Sequence, residues 1–316
     1  MTPAPPAETE ERFEHPALFY SSDDEYLNGT IPFIDKGLAA DEPVAVAVPR
    51  HNLESIRGAL GDAAERVLLV DMGEAGANPG RIIPGVLRAF TDSHPDRRVR
   101  IIGEPIWPGR SEAEYTACVQ HEALVNLAFD GRPVTKLCPY DTGRLDQRII
   151  ADAGTTHPVL IDRAGQRPSD RYDPERALAD CNRPLTRAPA SAVERAADFA
   201  TLDNARWFVT AYGRRAGLAA TQLIDLEIAL TELLTNSIDH GGGVGTFRVW
   251  TDAGHLVCEV NDAGEITDPL AGRRPTDETG HHGRGLLLVN QIADLVRMHT
   301  GPRGTTVRIF LRLPDG

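Results

Sequence analysis

Leu226-Glu227-Ile228-Ala229-Leu230-Thr231-Glu232-Leu233-Leu234-Thr235-Asn236-Ser237-Ile238-Asp239-His240-Gly241-Gly242-Gly243 is the stretch on which the reading of the C-terminal third turns. Leu223, Leu226, Leu230, Leu233, Leu234 and Ile238 recur at helical spacing, and the glycine run from Gly241 ends the helix where left-handed backbone is wanted. The spacing predicts an amphipathic helix with one buried stripe. Glu232 and Asn236 lie four apart and stand one above the other on one face, with Asp239 roughly one turn beyond. A carboxylate and an amide oxygen then converge on one point. Both are hard oxygen ligands of the kind Mg²⁺ takes together with phosphates, and a carboxylate so placed can accept a proton from an attacking hydroxyl. Taken alone, the helix is equally compatible with an ordinary solvated polar face.

Three further segments follow in order. Asp262-Ala263-Gly264 comes after an alternating strand pattern, Leu256 to Val260; a carboxylate at a strand end can accept from a base's exocyclic amine, and glycine lets a planar ring approach the backbone. Gly280-His281-His282-Gly283-Arg284-Gly285-Leu286 opens a helix whose N-terminal amides and dipole suit a phosphate. Gly304-Thr305-Thr306 leads into a strand where Val307, Ile309 and Leu311 alternate with Arg308 and Phe310. A lone glycine pattern would be weak evidence; four segments in one order are far more specific.

Together the segments resemble the N, G1, G2 and G3 boxes of the Bergerat-type ATP-binding fold shared by gyrase, chaperone, histidine-kinase and mismatch-repair ATPases. The compact form with a short lid most resembles the bacterial anti-sigma-factor serine-protein kinases. The resemblance covers roughly Pro189 to Gly316, and one position departs from it: Ile266 stands where a second G1 glycine is expected. It implies ATP and Mg²⁺ as cofactors, with Asn236 as metal ligand and Glu232 as general base on a serine or threonine hydroxyl of a partner protein. Asp262 would read adenine, with Gly264 and Thr305 beside the ring. Asp239, Gly280, Gly283, Arg284, Gly285 and Leu286 complete the implied nucleotide set, the G2 glycines and their helix holding phosphates. His281 and His282 read as lid surface, within a polar lid that begins at Glu265 and carries Pro269 and Pro275.

Length and composition set the frame for the rest. The 316 residues suffice for two medium domains with real cores, and an apolar content of 41% is that of a globular chain. A net charge of -13 argues against direct nucleic-acid binding, which depends on neutralising phosphates with Lys and Arg. Without a long apolar run or leader, no membrane association and a cytoplasmic location are expected. Cys118, Cys138, Cys181 and Cys258 are scattered with no CxxC pair and read as reduced thiols.

Residues 1–12 are rich in Pro, Ala and Glu and predict a mobile tail. Short apolar runs then alternate with amphipathic segments. Ala17 to Tyr20, Val44 to Val48, Val67 to Val70, Val99 to Ile102 and Val134 to Leu137 read as strands; Tyr26 to Leu38, Leu53 to Leu60, Ile82 to Phe90 and Glu112 to Leu127 read as helices. Such alternation predicts an α/β domain over residues 13–163 with a mostly parallel sheet covered on both faces. A nucleotide loop is expected after its first strand, yet Ser21-Ser22-Asp23-Asp24-Glu25 is acidic and has no Gly-x-x-x-x-Gly-Lys. This stretch, with His15 to Tyr20 and Cys138-Pro139-Tyr140-Asp141, resembles the MEDS sensory domains, a RecA-like fold without its P-loop. Cys138 and Cys118 with His121 or His157 have metal or redox chemistry, but their spacing gives no support, and buried inert cysteines are expected. His121-Glu122 is weak evidence for a phosphoacceptor.

Residues 164–189, with Pro168, Pro174, Pro184 and Pro189, read as a linker containing a short helix from Arg176 to Asn182. Helices are expected at Ala190 to Ala200 and Asn204 to Ala216, so that residues 190–316 form a Bergerat-type α/β sandwich. The resemblances imply an anti-sigma regulatory factor: an ATP-dependent serine/threonine kinase that binds a sigma factor and phosphorylates a small anti-anti-sigma antagonist of the STAS type, controlled by the N-terminal sensory domain, with a homodimer left open. Two other readings share these residues: an orphan sensor histidine kinase, and a non-catalytic ATP-binding switch.

Overall fold

The apolar runs of the first half lack alternation because they are covered on both faces: Val44–Val48 is buried at every position, and so is Val134–Asp141. The computed structural model describes residues 12–275 and 283–314. The chain divides into two compact units, one comprising the chain to Gly76 with Ile82–Leu178, the other Ala77–Arg81 with Ala179–Gly316. The tail expected at residues 1–12 lies outside the described residues except for Arg12.

The first unit runs β1 (Pro16–Tyr20), α1 (Asp23–Ala39), β2 (Val44–Val48), α2 (Arg50–Leu60), β3 (Val67–Asp71), α3 (Met72–Ala75), α4 (Ala89–Asp92), β4 (Val99–Gly103), α5 (Glu112–Ala128), β5 (Val134–Asp141), α6 (Gln147–Thr156), β6 (Val159–Asp162) and β7 (Gly165–Pro168). Its seven strands lie in the order β3-β2-β4-β5-β1-β6-β7, all parallel except the β6–β7 hairpin. The acidic residues after β1 have a local job. Ser22 caps α1 by accepting from Glu25 N, and Asp23, Asp24 and Glu25 occupy its first turn, where negative charge complements the helix dipole. Ser111 and Glu114 likewise form a reciprocal capping box on α5.

Three expectations are corrected here. The helix expected from Ile82 is a π-helical segment, Ile83–Arg88, that runs into α4. The residues read as a linker from 164 onward contain β7, exposed at all four positions, so no hydrophobic pattern betrayed it; the short helix expected there is α7 (Pro174–Cys181). The third correction belongs to the second unit, where Ala190 to Ala200 is not a helix but carries β8 (Val193–Ala197). The segment pairs with the edge of a sheet and overrides its Ala and Glu propensity, setting Glu194 opposite Arg248 in the register.

The second unit continues with α8 (Leu202–Ala216), α9 (Ala220–His240), β9 (Gly245–Asp252), β10 (His255–Asp262), α10 (Arg284–Ile292), β11 (Leu295–Gly301) and β12 (Gly304–Arg312). Its five strands form an antiparallel sheet ordered β11-β12-β10-β9-β8. Leu226, Leu230 and Leu234 are fully buried against Phe247, Cys258 and Ile309 in one core beneath α8, α9 and α10. This apolar stripe fixes the rotation of α9 and turns the Glu232–Asn236 face away from the sheet core. On the opposite face Glu259 is buried between Arg308, at 2.5 Å, and Arg248, at 3.0 Å, so its charge is paired on both sides. All four cysteines are buried and free. Among the described residues no helix is long and apolar enough to cross a membrane.

Candidate functional site

A cleft of about 470 Å³ opens between the second half of α9, the end of β10, the start of α10 and β12. Of the residues predicted from the sequence, Glu232, Asn236 and Asp239 line it from α9, and Asp262 and Gly264 from the β10 end. Gly283, Arg284, Gly285 and Leu286 line it from the α10 start, and Thr305 from β12. Gly280 lies outside the described residues, as do His281, His282 and part of the expected lid.

Each wall follows from local sequence. Gly283 adopts the left-handed conformation (φ 85°) as the N-cap of α10, whose first turn lines the cleft. Gly285 follows in the first turn. A Cβ there would stand 2.6 Å from Glu232 Oε2 and 3.2 Å from Asn236 Nδ2, so the bare backbone brings the helix start against both side chains. The opposite end of the cleft is held by hydrogen bonds. Asp262 accepts from the Ser237 hydroxyl at 2.7 Å through Oδ2 and from the Gly264 amide at 2.8 Å through Oδ1. Thr305 donates to Gly264 O at 2.8 Å and lies 2.8 Å from the Thr300 hydroxyl, which in turn accepts from the Ile266 amide. Ile266, the departure from the G1 pattern, is therefore anchored by its backbone and adds an apolar side to the cleft.

Ser237 and Thr300 were missed by sequence reasoning. The signal was present for Ser237, which follows Asn236 and falls on the buried side of α9, where a hydroxyl needs a partner. Thr300 gave none, because its role depends on the β11–β12 register that sets it opposite Thr305.

The donor set fits a magnesium nucleotide. Hard oxygens on α9, the N-terminus of α10 beside them and a carboxylate at the far end match metal, phosphate and base respectively. A larger cavity, about 730 Å³, lies against the other face of the sheet between residues 184–190 and Glu259 and Arg248. Arg248 pairs there with Glu194 and Glu259, and of the four segments only Thr306 reaches it.

Both halves of the chain match known families. Residues 14–158 match the MEDS family, described as the methanogen/methylotroph, DcmR sensory domain, and residues 196–311 match the histidine kinase-like ATPase domain. The chain thus carries two matched segments in tandem, one similar to the MEDS domain and one to the histidine kinase-like ATPase domain. Within the ATPase domain it is similar to the serine-protein kinase RsbW of Halalkalibacterium halodurans, at 30% identity over 29% of this chain and 65% of that one. The chain thus spans a little under two thirds of that relative's length. A solved structure of the RsbU and RsbW domains of Rv1364c from Mycobacterium tuberculosis matches at 19% identity, covering 40% of this chain and 33% of that one with a TM-score of 0.31. The resemblances read from the motifs, MEDS at the N-terminus and the anti-sigma serine-protein kinase family at the C-terminus, are both found.

Proposed function

We propose that the protein is a partner-switching regulator: an ATP-dependent serine/threonine kinase that binds a sigma factor and phosphorylates a small antagonist of the STAS type, under control of the MEDS domain. The observation that carries this reading is the approach of Gly285 to Glu232 and Asn236, which sets phosphate-binding amides beside a metal ligand and a base. The likeness to a serine-protein kinase supports the choice of substrate hydroxyl.

Asn236 would hold Mg²⁺, and the amides of Gly285 and Leu286 at the start of α10 would hold phosphate oxygens. Asp262, oriented by Ser237 and Gly264, would accept from the adenine amine beside Thr305. Bound ATP supplies the transferable phosphoryl group, and Mg²⁺ neutralises its charge. Glu232 would take the proton of the partner's hydroxyl, while Arg284, exposed at the α10 N-terminus, adds positive charge at the phosphate end. The histidine-kinase reading needs a reachable phosphoacceptor, and His121 is fully buried on α5.

The test is affinity capture by the intact chain with and without Mg-ATP, followed by transfer of labelled phosphate to what is captured. An acid-stable phosphoserine or phosphothreonine on a small antagonist is expected. Glu232→Ala should abolish transfer and spare ATP binding; Asp262→Asn should lose both. Transfer retained by Glu232→Ala would remove Glu232 as the base, and an acid-labile phosphate on a response regulator would replace the reading altogether.

A further inference from the structure

The MEDS domain contains a buried polar cluster that the kinase reading does not use. His15 precedes β1, Glu122 lies on α5, Lys136 and Cys138 stand two apart on β5 and so share a face, and His157 follows α6. None is more than 1% exposed. One ligand atom from each of His15, Glu122, Cys138 and His157 comes together here, all four within 4.8 Å of one another.

The hydrogen bonds around the cluster fix how the two imidazoles present themselves. The Asn126 amide nitrogen donates to the carbonyls of Glu122, Ala123 and Thr156, so its oxygen faces His15 Nδ1 at 3.1 Å and accepts from it. His157 Nδ1 lies 2.9 Å from the Ala153 carbonyl, which can only accept. Both rings therefore carry their proton on Nδ1 and turn a bare Nε2 into the cluster. That is the arrangement by which outer partners orient metal-binding histidines. Among the described residues His157 Nε2 has no hydrogen-bond partner, although it is buried and 3.5 Å from Glu122 Oε2. Two groups with only lone pairs to offer face each other there, and a cation between them would resolve the conflict.

The spacing suits a particular ion. Tetrahedral bonds of about 2.0–2.3 Å set ligand atoms roughly 3.3–3.8 Å apart. The cluster shows 3.3 Å from Cys138 Sγ to His15 Nε2, 3.5 Å from Cys138 Sγ to Glu122 Oε2, 3.0 Å from His15 Nε2 to Glu122 Oε2 and 3.5 Å from His157 Nε2 to Glu122 Oε2. Two imidazoles, a carboxylate and a thiol make a borderline-soft donor set. Lys136 Nζ stands beside them, 2.9 Å from Glu122 Oε2, 2.6 Å from Cys138 Sγ and 3.3 Å from His15 Nε2.

We propose that His15, Glu122, Cys138 and His157 form a tetrahedral site for a divalent cation of the zinc class inside the MEDS domain, with the Lys136 ammonium as its built-in competitor. On binding, the Cys138 S–H bond breaks, its proton goes to solvent and the Sγ–metal bond forms, with no change of oxidation state. The carboxylate and the thiolate then balance the ion's charge, and Lys136 gives up Glu122 Oε2 and Cys138 Sγ and keeps only Glu122 Oε1, 3.1 Å from its Nζ. Metal occupancy and the Lys136 contacts with Glu122 Oε2 and Cys138 Sγ are therefore alternatives, which gives the sensory domain two charge states of one core.

The experiment is titration of the intact, reduced chain with Co²⁺ and, in competition with a chromophoric chelator, with Zn²⁺. One equivalent is expected to bind, with tetrahedral cobalt bands and a thiolate-to-cobalt charge-transfer band that Cys138→Ser abolishes. Lys136→Met should tighten Zn²⁺ binding about tenfold, because it removes a like charge beside the ion, and serves as the deciding variant if Cys138→Ser fails to fold. Less than a stoichiometric amount of metal after refolding in its presence would overturn the proposal. So would a charge-transfer band that survives Cys138→Ser, or a Lys136→Met protein whose affinity is unchanged or weaker.

Discussion

The Ser237 hydroxyl sits 2.7 Å from Asp262 Oδ2 and ties the middle of the cleft helix α9 to the end of strand β10. Ser237 is 1% exposed, so this bond forms away from bulk water. Its second neighbour, the Leu233 carbonyl at 3.0 Å, lies on the same helix and gives the hydroxyl a fallback within α9. Ser237→Ala should therefore leave the helix intact while freeing Asp262 to rotate. A hydrogen bond to a charged group contributes about 1.5–3 kcal/mol, so ATP affinity measured calorimetrically should fall by about ten- to a hundredfold. Unchanged affinity would show that Asp262 is held well enough by Gly264 alone, or that it does not read the base.

Gly285 separates stability from activity. Its position in the first turn of α10 would gain up to about 1 kcal/mol of helix propensity on conversion to alanine. The new Cβ, however, would meet Glu232 Oε2 at 2.6 Å. Gly285→Ala should thus unfold at the same temperature as the parent or slightly higher, yet lose nucleotide-dependent transfer. A variant that keeps full transfer would show that the close approach is packing without function.

The two halves of the chain were legible to different depths. Leu226, Leu230 and Leu234 announced α9 because a buried stripe on a long helix repeats many times, and Glu232 and Asn236 followed from that rotation. Gly283 and Gly285 were legible because they need conformations or contacts that other residues refuse. Gly165–Pro168 was not, since β7 is exposed throughout and belongs to the sheet only through backbone pairing with β6. The helix expected at Ala190 to Ala200 failed for a related reason: local propensity says nothing about a free sheet edge, and β8 pairs with β9 there. In the first unit His15 and His157 lie 142 positions apart, and no spacing rule links them to Glu122 and Cys138. The strand order that sets β1 between β5 and β6 brings them together.

Residues read as linker also support the candidate site. Asn182 exchanges hydrogen bonds with Thr300, donating to its carbonyl at 2.8 Å and accepting from its amide at 3.0 Å. Arg308 donates to the Thr186 hydroxyl at 3.0 Å. A fragment from Ala179 to Gly316 should accordingly be more stable than one from Pro189 to Gly316, by about 2–4 kcal/mol at roughly 1 kcal/mol per lost bond. It should also bind ATP more tightly, because Thr300 positions Thr305. Parallel urea titrations of the two fragments provide the check; equal midpoints would return residues 179–188 to the status of a passive tether.

The MEDS domain should carry a pH dependence of its own, set by Glu104 at the end of β4. This carboxyl is 3% exposed, with Tyr20 donating to Oε1 at 3.2 Å and Asn52 to Oε2 at 2.7 Å. Burial raises its pKa to about 8; those two hydrogen bonds oppose the shift, and the nearby Asp141 charge adds to it. In the unfolded chain a glutamate titrates near about 4.3. Between about pH 4.3 and about pH 8 the folded protein therefore holds a proton that the unfolded chain has shed, and stability falls as pH rises through that window. The stabilisation is fully present below the unfolded value and is lost by the time pH passes the folded one, at up to about 1.4 kcal/mol per unit. Glu104→Gln keeps the shape and the acceptor oxygen for one partner but removes the titration. Urea unfolding of the intact protein at pH 5 and pH 8 should show the parent losing stability across the interval and Glu104→Gln losing clearly less. Parallel curves for the two proteins would mean that Glu104 is ionised in the fold, with its charge held by Tyr20 and Asn52.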